Sequence, residues 1–171
     1  MRFSARSARI TVAALLAAAG FVFGAQGVVA EEAGTFRMLV SGVSNYTTID
    51  HAGAKVTGGY LKGTVTVLQS SGGAFAEGAS HLVTCVAYAT ISEADTDVRG
   101  ACTITDGSGD NWFALAKRSV GDIEAGGGGD GRWELTGGTG KYAGLSGNCL
   151  YKTEYLPENH VVSSSDCTWQ Q

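Results

Sequence analysis

Proline is almost missing from this sequence, which carries one in 171 residues, and past residue 30 no apolar pattern repeats with the spacing of a helix. That absence excludes architectures built on amphipathic helices. Basic residues are scarce too. Three of the 12 lysines and arginines, Arg2, Arg6 and Arg9, fall in the first 30 residues, which leaves nine against 16 acids and a formal charge of −7 for residues 31 to 171. Nucleic acid and anionic membranes are thereby excluded as partners, because both need clustered positive charge. No apolar run after residue 30 is long enough to span a bilayer, so no integral membrane span is expected. The four cysteines come without C-x-x-C or histidine spacing, which leaves no zinc site. No serine or cysteine nucleophile motif is present, and no cofactor is implied.

What is present begins with an export signal. The three arginines precede an apolar run from Ile10 to Phe23, small residues follow to Ala30, and Glu31 opens a polar chain. This order of basic, apolar and small residues is that of a secretory signal peptide over residues 1–30. The expected product is exported, periplasmic or secreted, and residues 31–171 suit one domain with a real hydrophobic core.

Glycine supplies 23 of those residues, so turns are made by glycine, asparagine and aspartate. Between the turns, apolar residues alternate with period two. The pattern predicts strands near 35–47, 55–69, 80–91, 98–105, 111–118, 131–136, 144–156 and 160–169, with the glycines at 126–129 as a loop. An all-β chain with eight strands in this length predicts an antiparallel barrel, whose closure removes unpaired edges; a two-sheet sandwich is the competing arrangement.

The cysteines set the register. If Leu156 faces His160 across Pro157-Glu158-Asn159, Cys149 falls opposite Cys167, and direct antiparallel partners lie within disulfide reach. Tyr151, Thr153, Tyr155, Val161 and Ser163 then share the cysteine face, while Lys152, Glu154 and Asp166 take the other. Charged residues belong in water, so the cysteine face points inward. Pairing Cys85 with Cys102 centres a hairpin on Glu93-Ala94 and puts Val83, Ala87, Ala89, Val98 and Ile104 inside. Three connectivities are formally open. Cys85 to Cys102 with Cys149 to Cys167 is preferred because both registers separate the faces, and each bridge contributes about 3 kcal/mol.

The stretch GGTGKYAGLSG, residues 137 to 147, concentrates glycine where the chain must reverse tightly. Gly144 and Gly147 admit a bulge or bend in the following strand, and Tyr142 is placed to plug a barrel end. A phosphate loop is excluded, since the spacing G-x-x-x-x-G-K-[ST] is absent and no helix follows. Together with GRWELT and the paired-aspartate turn TDGSGDNWFAL, the stretch resembles the allene oxide cyclase and dirigent barrel superfamily, most of all its secreted bacterial members. The resemblance covers roughly residues 100 to 155. It implies an eight-stranded calycin-like barrel around an apolar cavity, often assembled as a homotrimer. Plant members steer reactive intermediates: one type cyclises a fatty-acid epoxide and the other guides phenoxy-radical coupling. The resemblance carries no site residue onto this chain.

Candidate chemistry comes from the registers. His81 falls opposite Asp106 at one barrel mouth, where a carboxylate can orient an imidazole for general acid or base work. The other reading makes Asp106 a turn residue binding backbone amides and His81 a strand end. Tyr151, Tyr155, Trp133, Val83 and Ile104 are expected to line the interior, the phenols as ligand contacts or as ordinary filling. Neither face can be chosen for Trp112 and Phe113. Asp106, Ser108 and Asp110 alternate as in a calcium loop, but Lys117 stands at the twelfth position where glutamate is needed, so a hairpin turn is the better account and no metal is expected. Three functions follow: a barrel binding a small apolar or aromatic molecule, a cyclase or isomerase using His81 with Asp106 or a tyrosine hydroxyl, and an enzyme inhibitor or interaction scaffold presenting GDIEAGGGGDG.

Overall fold

The computed structural model describes residues 32–171; the expected signal peptide lies outside the described residues. Eight antiparallel strands follow one another around a closed barrel: β1 (Ala33–His51), β2 (Ala54–Ser70), β3 (Ser80–Ile91), β4 (Thr96–Thr105), β5 (Asn111–Arg118), β6 (Gly128–Gly138), β7 (Ser146–Tyr155) and β8 (His160–Gln170). Each pairs with its chain neighbours, and β8 closes on β1 from Ala33 opposite Gln170 to Val43 opposite His160. The sandwich is therefore excluded.

The expected strands are all present, with different ends. Gly128 and Gly129 are not loop residues, since they pair with Glu154 and Thr153 as the start of β6. Gly144 lies ahead of β7, in a turn rather than a bent strand. The ladder shifts register elsewhere, between Arg37 and Met38 and between Phe113 and Ala114.

Both disulfides form between directly paired residues, Cys85 with Cys102 and Cys149 with Cys167. The period-two alternation of burial follows from them. Val83, Ala89, Val98 and Ile104 are buried on one hairpin, and Tyr151, Tyr155, Val161 and Ser163 on the other. Thr153 hides its hydroxyl by donating to Ser163 Oγ at 2.9 Å. In β5 the inner face carries Trp112, Ala114 and Arg118, which leaves Phe113, Leu115 and Lys117 outside.

One end of the barrel is stoppered by aromatic rings. The segment between β2 and β3 turns Phe75 inward, where it is fully buried, stacks on Phe36 at 3.9 Å and meets Trp112, Trp169 and Tyr142 at 5.6 to 5.7 Å. Tyr142 reaches this cluster from the 3-10 turn Gly140–Tyr142, the plug expected of GGTGKY. Gly140 has φ +52, and a Cβ there would run into the Asp110 carboxylate, so this turn requires glycine twice over.

Candidate functional site

His81 and Asp106 sit at the stoppered end. The β3–β4 ladder runs out at Leu82 and Thr105, one pair short of them. His81 is buried, its ring 6.4 Å from those of Trp112 and Tyr142, and neither of its nitrogens has a hydrogen-bond partner. Burial lowers its pKa from the ordinary value; Lys141 adds to this while the Asp106 charge opposes it, and the imidazole is neutral near pH 7. Asp106 is engaged elsewhere. Its Oδ1 accepts the Ser108 and Asp110 amides at 2.8 and 3.1 Å, and its Oδ2 lies 2.6 Å from Lys141 Nζ. Lys141 and Ser108 hold its carboxyl well below the usual carboxylate range. DGSGD is thus a hairpin turn, joined to GGTGKY by the Asp106–Lys141 ion pair and by the Lys141 amide donating to Asp110 at 3.2 Å.

A cavity of about 70 Å³ lies toward the other end. Trp133, Tyr151, Tyr155 and Tyr46 supply aromatic surface on one side, and Ala87, Gly100 and Ala116 make a wall of small residues on the other. The size difference across the lumen leaves the space open, because a Cβ added at Gly100 would meet only Ala116 Cβ at 3.6 Å and Val86 O at 3.5 Å. Val83 and Ile104 are buried but do not line this cavity. Burial pushes the Tyr151 hydroxyl up to about 12 and raises those of Tyr46 and Tyr155, so all three are neutral donors.

Arg118 was not anticipated. It ends β5 with its side chain turned inward, 2 % exposed, and its guanidinium lies over the Tyr155 ring with Cζ 5.6 Å from the centroid. Nη2 donates to the Asp122 carbonyl at 3.1 Å, while Nη1 has no partner. Its seat is made by the glycines of β6. A Cβ at Gly129 would come 3.0 Å from Nη1, and one at Gly131 would overlap the Tyr151 phenol. The signal in the sequence was GGGGDG, which reads as a loop until β6 is placed beside β5.

The segment between β5 and β6 covers this mouth. Ile123 packs against the core, the Gly126 amide donates to the Tyr155 carbonyl at 2.8 Å, and Lys55 pairs with Glu124 at 2.5 Å.

No family model and no curated protein matches the sequence. Among solved structures, a pterocarpan synthase dirigent protein is similar at a TM-score of 0.50 and 14 % identity, over 82 % of this chain and 86 % of that one. The fold is a dirigent-like barrel. At this identity the likeness concerns architecture, and the chemistry of a dirigent-like barrel has to be argued from its own residues.

Proposed function

We propose that this dirigent-like barrel holds a compact apolar or aromatic molecule in the cavity beside Trp133, Tyr151 and Tyr155. The observation that carries the reading is the uneven lining, with aromatic side chains from β1, β6 and β7 and small residues from β3, β4 and β5. Such a lining offers stacking surface with a few oriented polar groups. The 70 Å³ of space is well below the roughly 300–1,000 Å³ of pockets that hold drug-sized ligands, which restricts an unaltered cavity to a small guest. Larger guests require the segment bearing Ile123 to move. Two disulfides fit an exported protein, and export belongs to this proposal.

Native mass spectrometry of the chain, produced with its leader and recovered from an oxidising compartment, tests the reading. A small molecule bound one to one and released by organic solvent is expected. A chain that stays empty, and takes up no aromatic or alkyl probe at millimolar concentration, would sink it.

The second reading, a cyclase or isomerase guiding a reactive intermediate, is supported by the likeness to a pterocarpan synthase dirigent protein. In it, either the neutral His81 with Asp106 or a cavity tyrosine moves the proton. The tyrosines are the better placed, because they face the cavity while His81 lies among the stopper rings. Assembly into trimers would use the outer strip where exposed Val86 stands in register between Tyr60, Ala101 and Leu115. Sedimentation velocity reads it directly, and a single species at monomer mass removes it.

A further inference from the structure

We infer that the guest of this barrel is an anion, and that Arg118 at the mouth is the group that receives its carboxylate. This rests on the container reading and narrows it. A guanidinium 2 % exposed would ordinarily have a carboxylate partner, because a buried charge left uncompensated costs several kcal/mol. Arg118 has none among the described residues. Its one hydrogen bond is to the neutral Asp122 carbonyl, its guanidinium lies over the Tyr155 ring, and Nη1 is buried without an acceptor.

The neighbouring wall has the same imbalance. Trp133 Nε1 is a second buried donor without a partner, and no aspartate or glutamate lines the cavity. The phenols of Tyr46, Tyr151 and Tyr155 carry no negative charge at neutral pH, because burial raises all three. Arg99, the one cation of the lining, is paired with Asp97; Arg118 does not itself line the cavity, but its guanidinium lies over the ring of Tyr155, which does. A lumen with surplus donors and this unpaired positive charge behind its wall is complementary to a ligand rich in acceptors. Arginine suits carboxylate in particular, through its planar fork and weak hydration.

The backbone is shaped around this group. Gly129 and Gly131 are inner-face positions of β6 that hold no side chain, and the guanidinium and the Tyr151 phenol occupy the room so left. The ligand class that follows is a small organic acid with an aromatic or short alkyl body, its carboxylate at Arg118 and its apolar part toward Trp133.

Isothermal titration of the folded protein with benzoate and hexanoate, against their neutral counterparts benzamide and hexanamide, tests the inference. At least one acid is expected to bind tenfold or more tightly than its amide. Arg118→Gln should erase that difference, and Arg118→Lys should restore part of it. Should the glutamine variant fail to fold, the guanidinium ¹⁵N–¹H signals of labelled wild-type protein serve instead, with the buried Arg118 signal shifting on addition of acid and not of amide. Equal affinities, or a preference that survives Arg118→Gln, overturn the inference and leave the container reading standing. Failure of all four probes to bind overturns both.

Discussion

Gly100 has ordinary backbone geometry, and a Cβ there would make only ordinary van der Waals contacts, so the position admits a side chain without strain. A glycine there forgoes about 0.5–1 kcal/mol relative to alanine, so its value lies in the room it leaves. Gly100→Val should raise the unfolding free energy by about 1 kcal/mol in urea titration and weaken guest binding at least tenfold, a trade of stability against function. A variant that is more stable and binds normally would show that the cavity is not the working part. His81 gives a pH prediction. Its pKa is lowered in the fold by burial, so the unfolded chain takes up the proton first as pH falls. The stabilisation is whole above the unfolded pKa of about 6.5 and is lost as pH drops through the folded value. His81→Leu should flatten this acid loss by about 1 kcal/mol per pH unit just below that point, read from melting temperatures between pH 7 and 5. Asp106 and Lys141, the charged groups facing His81, stay ionised over that range. An unchanged slope would place the acid sensitivity elsewhere.

The stopper segment between β2 and β3 is an element whose function rests on one side chain. Phe75 is wholly buried against Phe36, Trp112, Tyr142 and Trp169, and no regular secondary structure holds it there beyond an isolated bridge from Gly72 to Phe75 and the Ser70 hydroxyl donating to the Phe75 carbonyl at 2.5 Å. Phe75→Ala should cost about 3–5 kcal/mol by chemical denaturation, as a large cavity would open at the stopper, and should leave guest binding at the far mouth unchanged. This element also marks where sequence reading ended. Period-two alternation and the two cysteine pairs were local enough to yield every strand and both disulfide registers, because the bridged cysteines lie within twenty residues of each other. Tyr142 could be read as a plug because glycines isolate it. Phe75 could not, since SGGAFAEGA has no period and its partners come from β1, β5 and β8. Arg118 was hidden for a related reason. NWFALAKR ends in a basic residue on either face, and only the packing of β5 against the glycines of β6 decides that the arginine, not Lys117, turns inward.

At the scale of the whole molecule, closure governs how the barrel comes apart. Every strand is paired on both sides, and β1 is paired with β8 from the opposite end of the domain, so no strand can leave without breaking two ladders. An open sheet could fray from an edge; a closed one has no edge from which to begin. The three tryptophans report on this from different places, Trp112 and Trp169 in the stopper and Trp133 beside the cavity. If closure couples the two ends, their fluorescence and the far-ultraviolet signal of the strands should follow one coincident transition in guanidinium, as a two-state domain requires. Refolding should be slow for the domain's size, in milliseconds to seconds, since joining β1 to β8 closes the longest loop in the chain. A tryptophan transition that precedes loss of the strand signal would mean that the stopper opens as a separate unit. Repeating the experiment with Trp133→Phe separates the cases: the stopper tryptophans alone would then carry the early phase, and a guest held at the far mouth would stabilise only the later one.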